Sequence, residues 1–491
     1  MEKIIRQIEN NEWDEAMKAF LEYSDTHVVD ARSCIIGATL MEHYREHDTM
    51  FSFIADGLKM DPSNYELYIL LGNYYALSNP DQAYLSYENA LYHCSRSDNT
   101  SDLEAIRVLL NDYRCSNSIS VRNVSFAILS YNTFEYTKGC IQSIRQTCCS
   151  DNYEIIVVDN ASTDGSVEWL REQEDVILIE NDTNVGFPAG CNQCINKANP
   201  ENDIFLLNND TLMLPNSLFW LRIGLYNDDR TGAAGAVTNC SGNGQQLDDS
   251  FNSLDEYLQF GTGINIPSQN AYELKVFLIM FAMLIKRKVL DKIGLLDERY
   301  TPGNFEDNDY GMRLLENGYD CVLCHNCYIY HYGSKSFGSD VDKYVALYET
   351  NREKFRDKWG FYIDRYVRRS KKIISLMEAP SGRELHVLEI GCGFGETLAA
   401  ILYHFPEADL HGVEFDKHVA ELGFKLFDIR CTDPIPLFSG NDRYDYIIIS
   451  DLPKDAVDPE TLLASYNYAL RRNGYILVDT LDNTILWRNG V

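Results

Sequence analysis

The chain has 491 residues, of which 45% are hydrophobic, 12% are aromatic and 24% are charged. This length exceeds what a single hydrophobic core supports, so it predicts roughly two to four domains. The 43 basic and 74 acidic residues leave a net charge of −31. Such an acidic surface repels phosphate backbones, which argues against nucleic acid as the main partner.

The sequence contains no segment long enough to span a membrane. Its longest apolar run, VFLIMFAMLI at 276–285, is followed at once by three basic residues, whereas a transmembrane helix needs about 20 apolar residues. The N-terminus, MEKIIRQIENNEWDEAM, is charged throughout and lacks the apolar core of a signal peptide. The 14 cysteines are then typical of reduced thiols. We therefore expect a cytoplasmic protein without a transmembrane segment.

Residues 1–115 are predicted to be helical. In NEWDEAMKAFLEY, Trp13, Ala16, Met17 and Phe20 recur at helical spacing. The stretch YELYILLGNYYALSNPDQAYLSYENALYHC resembles a tetratricopeptide repeat. This resemblance implies stacked helix pairs and, by analogy, a protein partner that binds to them. The alternative is an irregular helical cap.

Residues 124–365 are predicted to form an α/β domain. The runs SFAILSY, EIIVVDN, VILIEN and IFLLNND alternate with helices and are nearly all apolar, as strands covered on both faces must be. Ligands of parallel α/β sheets collect at the carboxyl ends of the strands. A carboxylate there can bind Mg²⁺ or Mn²⁺, and such a cation lets an acidic protein bind a nucleotide diphosphate. Polar residues follow three of the runs: Asn132, then Asp159 and Asn160, and then Asn208, Asn209 and Asp210.

Five ordered segments in this domain resemble those of the family 2 glycosyltransferases, in the rhamnosyltransferase-like branch. They are AILSYN, EIIVVDNASTDGSVEWL, NDTNVGFPAGCNQCI, LLNNDT and NFEDNDYGMRLLENGYD. Five blocks in order are far more specific than any one block alone. The resemblance implies a GT-A fold, a nucleotide-diphospho-sugar donor, a glycan or protein hydroxyl as acceptor, and inversion at the anomeric carbon.

The resemblance also implies which residues bind the substrates. Asp159 matches the acidic residue that contacts the donor's nucleoside, although Asp-Asn-Ala-Ser is also typical of a capped turn. Gly186 opens a glycine-containing helix start, where backbone can approach a ligand closely. The candidate substrate-binding residues are Asn132, Asp159, Asn160, Gly186, Asn209 and Glu306.

By the same resemblance, Asp210 and His331 are the candidate metal ligands, for Mn²⁺ or Mg²⁺. Asp210 stands in the family's Asp-x-Asp position, and Asn208 replaces the first aspartate, which leaves one carboxylate instead of two. His331 follows the last predicted strand of the domain. A lone histidine at such a place can also be a satisfied core residue.

Asp307, in FEDNDYGMRL, matches the catalytic base of the family. Its carboxylate would accept the proton of the acceptor hydroxyl during attack on the anomeric carbon. Glu306 is predicted to contact the acceptor. Taken alone, the motif is equally explained by acidic residues that stabilise the first turn of a helix.

Residues 380–491 are predicted to form a second α/β domain. HVLEIGCGFGETLAAILYHFPEADLHGVEFD gives a strand, a glycine-rich turn, a helix, a strand and an acidic residue. It resembles class I methyltransferases, which implies S-adenosylmethionine as cofactor. The short helix after Glu414 and the lack of room for a final hairpin predict a degenerate or structural unit, with a working methyltransferase as the alternative. The candidate cofactor-binding residues are Glu389, Gly391, Gly393 and Glu414.

These patterns together predict a multidomain, metal-dependent, inverting glycosyltransferase. One alternative is a bifunctional enzyme that also methylates its product with S-adenosylmethionine. Another is a non-enzymatic scaffold on an inactive transferase core. The joint presence of Asp159, Asp210 and Asp307 argues against the scaffold.

Overall fold

A computed structural model describes residues 1–97, 101–149, 152–333, 341–431, 443–450, 466, 469–479 and 484–488. An all-helical region comes first, an eight-stranded sheet flanked by helices follows, and a six-stranded sheet completes the described chain. The predicted fold class, helices followed by two α/β domains, is confirmed.

The N-terminal region consists of helix pairs that pack against each other in chain order. Close packing depends on small residues at the contacts: a Cβ added to Gly72 would overlap the ring of Tyr87 on the partner helix. The tetratricopeptide assignment stays a prediction. Within the described residues the helices are α1 (Glu2–Glu9), α2 (Trp13–Ser24), α3 (Ala31–Tyr44), α4 (His47–Met60), α5 (Tyr65–Tyr75), α6 (Pro80–Arg96) and α7 (Leu103–Ser116).

The central domain contains ten strands and eight helices within the described residues. The strands are β1 (Val124–Ser130), β2 (Tyr153–Asp159), β3 (Val176–Glu180), β4 (Asp203–Leu207), β5 (Thr211–Leu212), β6 (Thr231–Val237), β7 (Tyr272–Lys275), β8 (Ala282–Ile285), β9 (Asp320–Tyr328) and β10 (Tyr330–His331). The helices are α8 (Phe134–Thr147), α9 (Ser166–Arg171), α10 (Phe187–Lys197), α11 (Ser217–Leu225), α12 (Leu254–Ile264), α13 (Arg287–Ile293), α14 (Glu306–Glu316) and α15 (Val341–Trp359).

The order of strands in the large sheet is β3-β2-β1-β4-β8-β6-β9-β7, and β5 pairs separately with β10. Only β8 and β7 run against the others among these eight strands. The carboxyl ends of the remaining six strands therefore share one edge of the sheet.

β1, β2 and β4 are covered on both faces, as their sequences predict, whereas β3, at the edge of the sheet, is only half-buried. Phe126 and Ile128 point into a core shared with α8, α11 and the N-terminal helices. Ala127, between them, points into a second core with α10 and α14. The helical region is anchored to the first face through α11, where Arg222 forms a buried ion pair with Glu88 of α6.

The C-terminal unit is a six-stranded sheet with the order β13-β12-β11-β14-β15-β16. Among the described residues one strand, β16, follows β15 and pairs with it in an antiparallel hairpin. The expectation that no room remains for a further hairpin after β15 stays a prediction. The described elements are α16 (Lys371–Ser375), β11 (His386–Ile390), α17 (Glu396–His404), β12 (Asp409–Val413), α18 (Lys417–Gly423), β13 (Asp428–Arg430), β14 (Tyr444–Ile449), β15 (Leu470–Asp479) and β16 (Thr484–Arg488).

Of the helices that the structure describes, none combines the length and the apolar character that a membrane crossing requires. The cytoplasmic location stays a prediction.

The Gly72 contact gives a test of the helical packing. Gly72→Ala should destabilise the chain by about 1–3 kcal/mol, because the added methyl group must displace the Tyr87 ring. Gly263→Ala in α12 is the matched control, since a Cβ there meets nothing within 4 Å; it should be neutral or stabilising. Thermal unfolding followed by circular dichroism gives both midpoints, and equal midpoints for the two variants would contradict the close packing.

Candidate active site

The carboxyl edge of the large sheet gathers the candidate residues of the central domain. Asp159 ends β2, and Asp210 comes just after β4. β10 pairs with β5, which places His331 opposite Thr211. Because α14 packs on β9 and leads into its start, the N-terminus of α14, with Glu306 and Asp307, lies at this same edge.

Asp159 and Asn160 are both buried at the end of β2. Ser162 donates to the Asp159 carboxylate from its backbone N–H and from its hydroxyl, each at 2.7 Å. The side-chain oxygen of Asn160 accepts a hydrogen bond of 2.9 Å from Asn181. The Asp159 carboxylate therefore fixes the turn that follows β2, as the capped-turn alternative expects. This turn lies at the carboxyl edge of the sheet.

Asn132 connects the loop after β1 to this turn. Its backbone N–H donates to the Ser162 hydroxyl at 2.9 Å, and its side-chain oxygen accepts from the N–H of Thr163 at 2.8 Å. Its φ of 52° lies in the left-handed region, which asparagine adopts more readily than most residues. Asn132 thus holds two of the strand-end loops together.

Gly186 precedes α10 with a φ of 84°. A Cβ at this position would lie 2.8 Å from Thr301 Cγ2, and the next residue, Phe187, donates its N–H to the carbonyl of Pro302 at 2.8 Å. The glycine is required because the start of α10 docks directly on the loop that leads to α14.

The turn after β4 is fixed from α8. The side-chain amide of Asn209 donates to the hydroxyls of Thr133 and Thr137 at 2.6 and 2.8 Å. These two threonines were not singled out from the sequence, since no motif distinguishes them. Asn209 therefore fixes the conformation of the Asn208–Asp210 turn. The neighbouring residue, Asp210, lies at the edge of the sheet and is 4% exposed.

The His331 ring is arranged as metal-binding histidines are. Its Nδ1 lies 2.7 Å from the carbonyl oxygen of Cys240, and because a carbonyl only accepts, Nδ1 carries the proton. In the neutral form of the ring, Nε2 is then the lone-pair nitrogen. It lies 3.2 Å from Asp210 Oδ1, and within the described residues it is buried without a hydrogen-bond partner. An unprotonated nitrogen beside a carboxylate oxygen fits a divalent cation.

The start of α14 carries two neighbouring carboxyl groups. Burial, and then the charge of Asp307, raise the pKa of Glu306 well above its ordinary value. Burial also raises the pKa of Asp307. One oxygen of Glu306, Oε2, is buried and has no hydrogen-bond partner among the described residues. Burial therefore favours the protonated form of Glu306 and gives Asp307 a stronger affinity for protons than an exposed aspartate has.

A buried asparagine of α15, Asn351, supports this helix start and was not found by sequence reasoning. Its amide donates to the carbonyls of Tyr300, Gly303 and Asn304 at 2.8, 2.8 and 3.3 Å. Asn304 and Phe305 both have φ near 75°. The three donations hold a loop whose backbone is unfavourable for residues other than glycine.

The candidate residues of the C-terminal unit lie together at the carboxyl edge of its sheet. Glu389 accepts a hydrogen bond of 2.7 Å from the Ser450 hydroxyl. Gly391 and Gly393 belong to the turn between β11 and α17 and have φ of 72° and 57°. The N–H of Gly393 donates to Glu414 Oε2 at 2.9 Å, so Glu414 contacts the glycine-rich turn.

Two bacterial proteins share sequence with this chain. An uncharacterized glycosyltransferase, YfnE, of Bacillus subtilis (strain 168) is 26% identical over 246 residues, which are 40% of this chain and 60% of the relative. A poly(ribitol-phosphate) beta-glucosyltransferase of Bacillus spizizenii is 33% identical over 110 residues, or 21% of this chain and 17% of the relative. The chain thus spans less than two thirds of either relative.

Among solved structures, GalNAc-T7 with UDP, GalNAc and Mn²⁺ overlaps with a TM-score of 0.39 at 12% identity, over 62% of this chain and 57% of that one. The mannosyltransferase PcManGT from Pyrobaculum calidifontis, in complex with GDP-Man and Mn²⁺, has a TM-score of 0.35 at 15% identity, over 66% of this chain and 82% of that one. Overlaps of this size carry no argument about substrate.

Family models match two parts of the chain. Residues 125–294 match glycosyl transferase family 2, and residues 361–490 match a methyltransferase domain family. Both resemblances read from the sequence motifs are confirmed. The chain therefore carries a family 2 glycosyltransferase domain followed by a domain of the methyltransferase type.

Proposed function

We propose that the central domain transfers a sugar from a nucleotide-diphospho-sugar to a hydroxyl group of a glycan or protein, with inversion at the anomeric carbon and with a divalent metal ion. One observation carries the proposal: the Asp210–His331 pair and the carboxyl pair of α14 lie at the same edge of the sheet. The match of residues 125–294, which include Asp210, to glycosyl transferase family 2 supports it.

Asp210 and His331 would hold the cation. The described residues contain no cluster of three His, Cys, Asp or Glu side chains suited to a metal, so we expect other positions of the cation to be filled by donor phosphates and water. When bound, Mn²⁺ or Mg²⁺ offsets the negative charge of the diphosphate leaving group. The donor's nucleoside would lie by Asp159, Asn160 and Asn132, where the loops after β1 and β2 are joined.

Asp307 would act as the general base. Its ionised carboxylate accepts the proton of the acceptor hydroxyl while the hydroxyl oxygen forms a bond to the anomeric carbon. The bond from that carbon to the diphosphate oxygen breaks, and its electron pair leaves with the diphosphate. A single displacement of this kind inverts the configuration and needs no covalent enzyme intermediate. Glu306, whose protonated form burial favours, would donate a hydrogen bond to the acceptor.

Methyl transfer by the C-terminal unit is the second candidate function, and the match of residues 361–490 to a methyltransferase family favours it. It would require S-adenosylmethionine to bind at Glu389, Gly391, Gly393 and Glu414, and the hydrogen bonds that already engage the turn and Glu414 oppose such binding. A scaffold without activity has less support, because Asp159, Asp210 and Asp307 are all present at the carboxyl edge of the sheet.

A donor screen tests the proposed function directly. The full chain is incubated with one nucleotide-diphospho-sugar at a time and with Mn²⁺ or Mg²⁺, and release of nucleoside diphosphate is measured. We expect release from one donor or a few related donors, and loss of release when the metal is chelated. Absence of release with every donor, with and without candidate acceptors, would contradict the proposal.

Removing either proposed metal ligand should weaken cation binding. For Asp210→Asn and for His331→Ala, we expect Mn²⁺ affinity in the presence of nucleoside diphosphate to fall at least tenfold, or about 1.4 kcal/mol. Isothermal titration calorimetry measures this affinity. His47→Ala, which removes an exposed histidine of α4, is the control and should bind Mn²⁺ as the wild type does. Equal affinity in all three variants would remove the Asp210–His331 pair from the metal site.

Asp307→Asn should remove catalysis but not donor binding. Loss of general base catalysis lowers kcat by roughly 10²–10⁴-fold, while donor affinity, measured by calorimetry, should stay within about twofold. Glu316→Gln, which changes an exposed carboxylate at the other end of α14, should leave both values unchanged. A kcat for Asp307→Asn close to that of the wild type would refute the assignment of the base.

The pH dependence should identify which carboxyl group acts as base. Because burial raises the pKa of Asp307, kcat/KM should fall on the acid side with an apparent pKa above the value of about 3.9 for an ordinary aspartate. Glu306→Gln mimics the protonated Glu306, so this acid limb should persist at the same pH in that variant. If the limb disappears in Glu306→Gln, then Glu306 is the base.

A further inference from the structure

We infer that the glycine-rich turn of the C-terminal unit, residues 391–395, is an internal docking surface that positions helix α14 and is not a binding site for S-adenosylmethionine. The part of this inference that concerns catalysis rests on the proposed function. The part that concerns the cofactor does not depend on it.

All five backbone N–H groups of the turn already donate within the chain. A glycine-rich turn before a helix binds a ligand through free N–H groups that point at it, and here each has a protein acceptor. The acceptors are Val413 O for Gly391 and Cys392 at 2.8 and 3.2 Å, Glu414 Oε2 for Gly393 at 2.9 Å, Tyr366 O for Phe394 at 3.1 Å, and Cys392 O for Gly395 at 2.9 Å.

Glu414, the residue predicted to receive ribose hydroxyls, is also engaged. Its Oε1 accepts from the N–H groups of Phe415 and Asp416 at 2.7 and 2.9 Å, and its Oε2 accepts from Gly393. A carboxylate has about four acceptor positions, and three of them are filled by backbone. The side chain fixes the turn against the end of β12.

The segment after α15 lies directly on the turn. A Cβ added to Gly393 would overlap the carbonyl oxygen of Tyr366, so the close approach that glycine permits is used by this chain's own backbone. The Tyr366 hydroxyl also lies 3.4 Å from a carboxylate oxygen of Asp416. The residues present therefore do not fit the cofactor that the family implies.

An aromatic series connects the turn to the start of α14. Phe394 is fully buried, and its ring centroid lies 5.5 Å from that of Phe361. Phe361 lies 6.0 Å from Phe355 of α15, and Phe355 lies 5.8 Å from Phe305. Phe305 directly precedes the Glu306–Asp307 pair. A series of four rings in contact, from Phe394 to Phe305, therefore connects the turn to the carboxyl pair.

A buried charge cluster fixes the orientation of the two domains. Glu396, the first residue of α17, forms an ion pair with Lys275 of β7 and accepts the N–H of Val276 at 2.8 Å. Glu273, two residues earlier on β7, lies 3.2 Å from Arg369. Since a buried charge is costly without its partner, the domains cannot slide past each other without a large loss of stability.

Phe394 is thus a positioning residue for Asp307, and its replacement gives the test. In the full chain, Phe394→Ala should increase hydrogen exchange in peptides that cover residues 300–309, lower kcat by roughly tenfold to a hundredfold, and leave donor KM within about twofold. Phe394→Leu, which refills most but not all of the volume, should show the same two changes at a smaller, still measurable size. Phe424→Ala, which changes an exposed phenylalanine of the same unit, should match the wild type.

Calorimetry with S-adenosylmethionine and with S-adenosylhomocysteine completes the test on the wild-type full chain. We expect no saturable heat at about 1 mM ligand, where even millimolar binding would register. Saturable binding would overturn the inference, as would wild-type hydrogen exchange at 300–309 in Phe394→Ala. If Phe394→Ala does not fold, the exchange and kcat of Phe394→Leu decide, with values identical to the wild type counting against the inference.

The two proposals fail in different ways. A wild-type chain that transfers no sugar would refute the proposed function, whereas calorimetry and hydrogen exchange would still report on the turn. A chain that transfers sugar and also binds S-adenosylmethionine would refute only the further inference.

Discussion

Two like charges cannot be buried side by side without a large cost in free energy, and α14 opens on two neighbouring carboxyl groups. The pKa of Glu306 is raised by burial and by the charge of Asp307, so the pair gives up its protons less readily than two exposed carboxyl groups do. The backbone before them is itself unfavourable, with φ near 75° at Asn304 and Phe305. Strain of this kind persists only when the surroundings hold it. The helix start is therefore imposed by its neighbours, chiefly Asn351 and the aromatic rings behind it.

The proposed metal pair depends on backbone hydrogen bonds from three separate segments. β5 and β10 are only two residues long each, yet their pairing sets His331 opposite Thr211. The N–H of Tyr332 donates to the carbonyl of Asp210 at 2.9 Å, and Cys240 supplies the acceptor for the His331 ring. These contacts orient the imidazole before any ligand binds, which is the arrangement that supports strong coordination.

The sequence predicted the fold class and the order of domains because apolar strands, glycine-rich turns and ordered motifs are local patterns. A glycine before a helix is such a pattern, and it drew attention to Gly186, whose φ and close contact leave few alternatives to glycine. Its role in substrate binding stays a prediction. The tautomer of His331 could not be predicted, because it depends on a carbonyl 91 positions away in the chain. Asn351 carries no motif, and its role exists only once α15 packs over the loop before α14.

The C-terminal unit shows how one local pattern can serve two physical purposes. Glycine in a turn before a helix permits another group to approach the backbone closely, and nothing in the turn itself specifies whether that group is a cofactor or a neighbouring segment. In this chain the backbone N–H groups that a cofactor would need already donate to other parts of the protein. Their acceptors include the Tyr366 carbonyl, the Glu414 carboxylate and the end of β12. The Glu396–Lys275 pair then ties the same helix start to β7, next to the strands that build the other site. Because a buried ion pair contributes little net stability but strongly disfavours any arrangement that separates it, its effect here is to hold α17, and with it Phe394, in one position relative to α14.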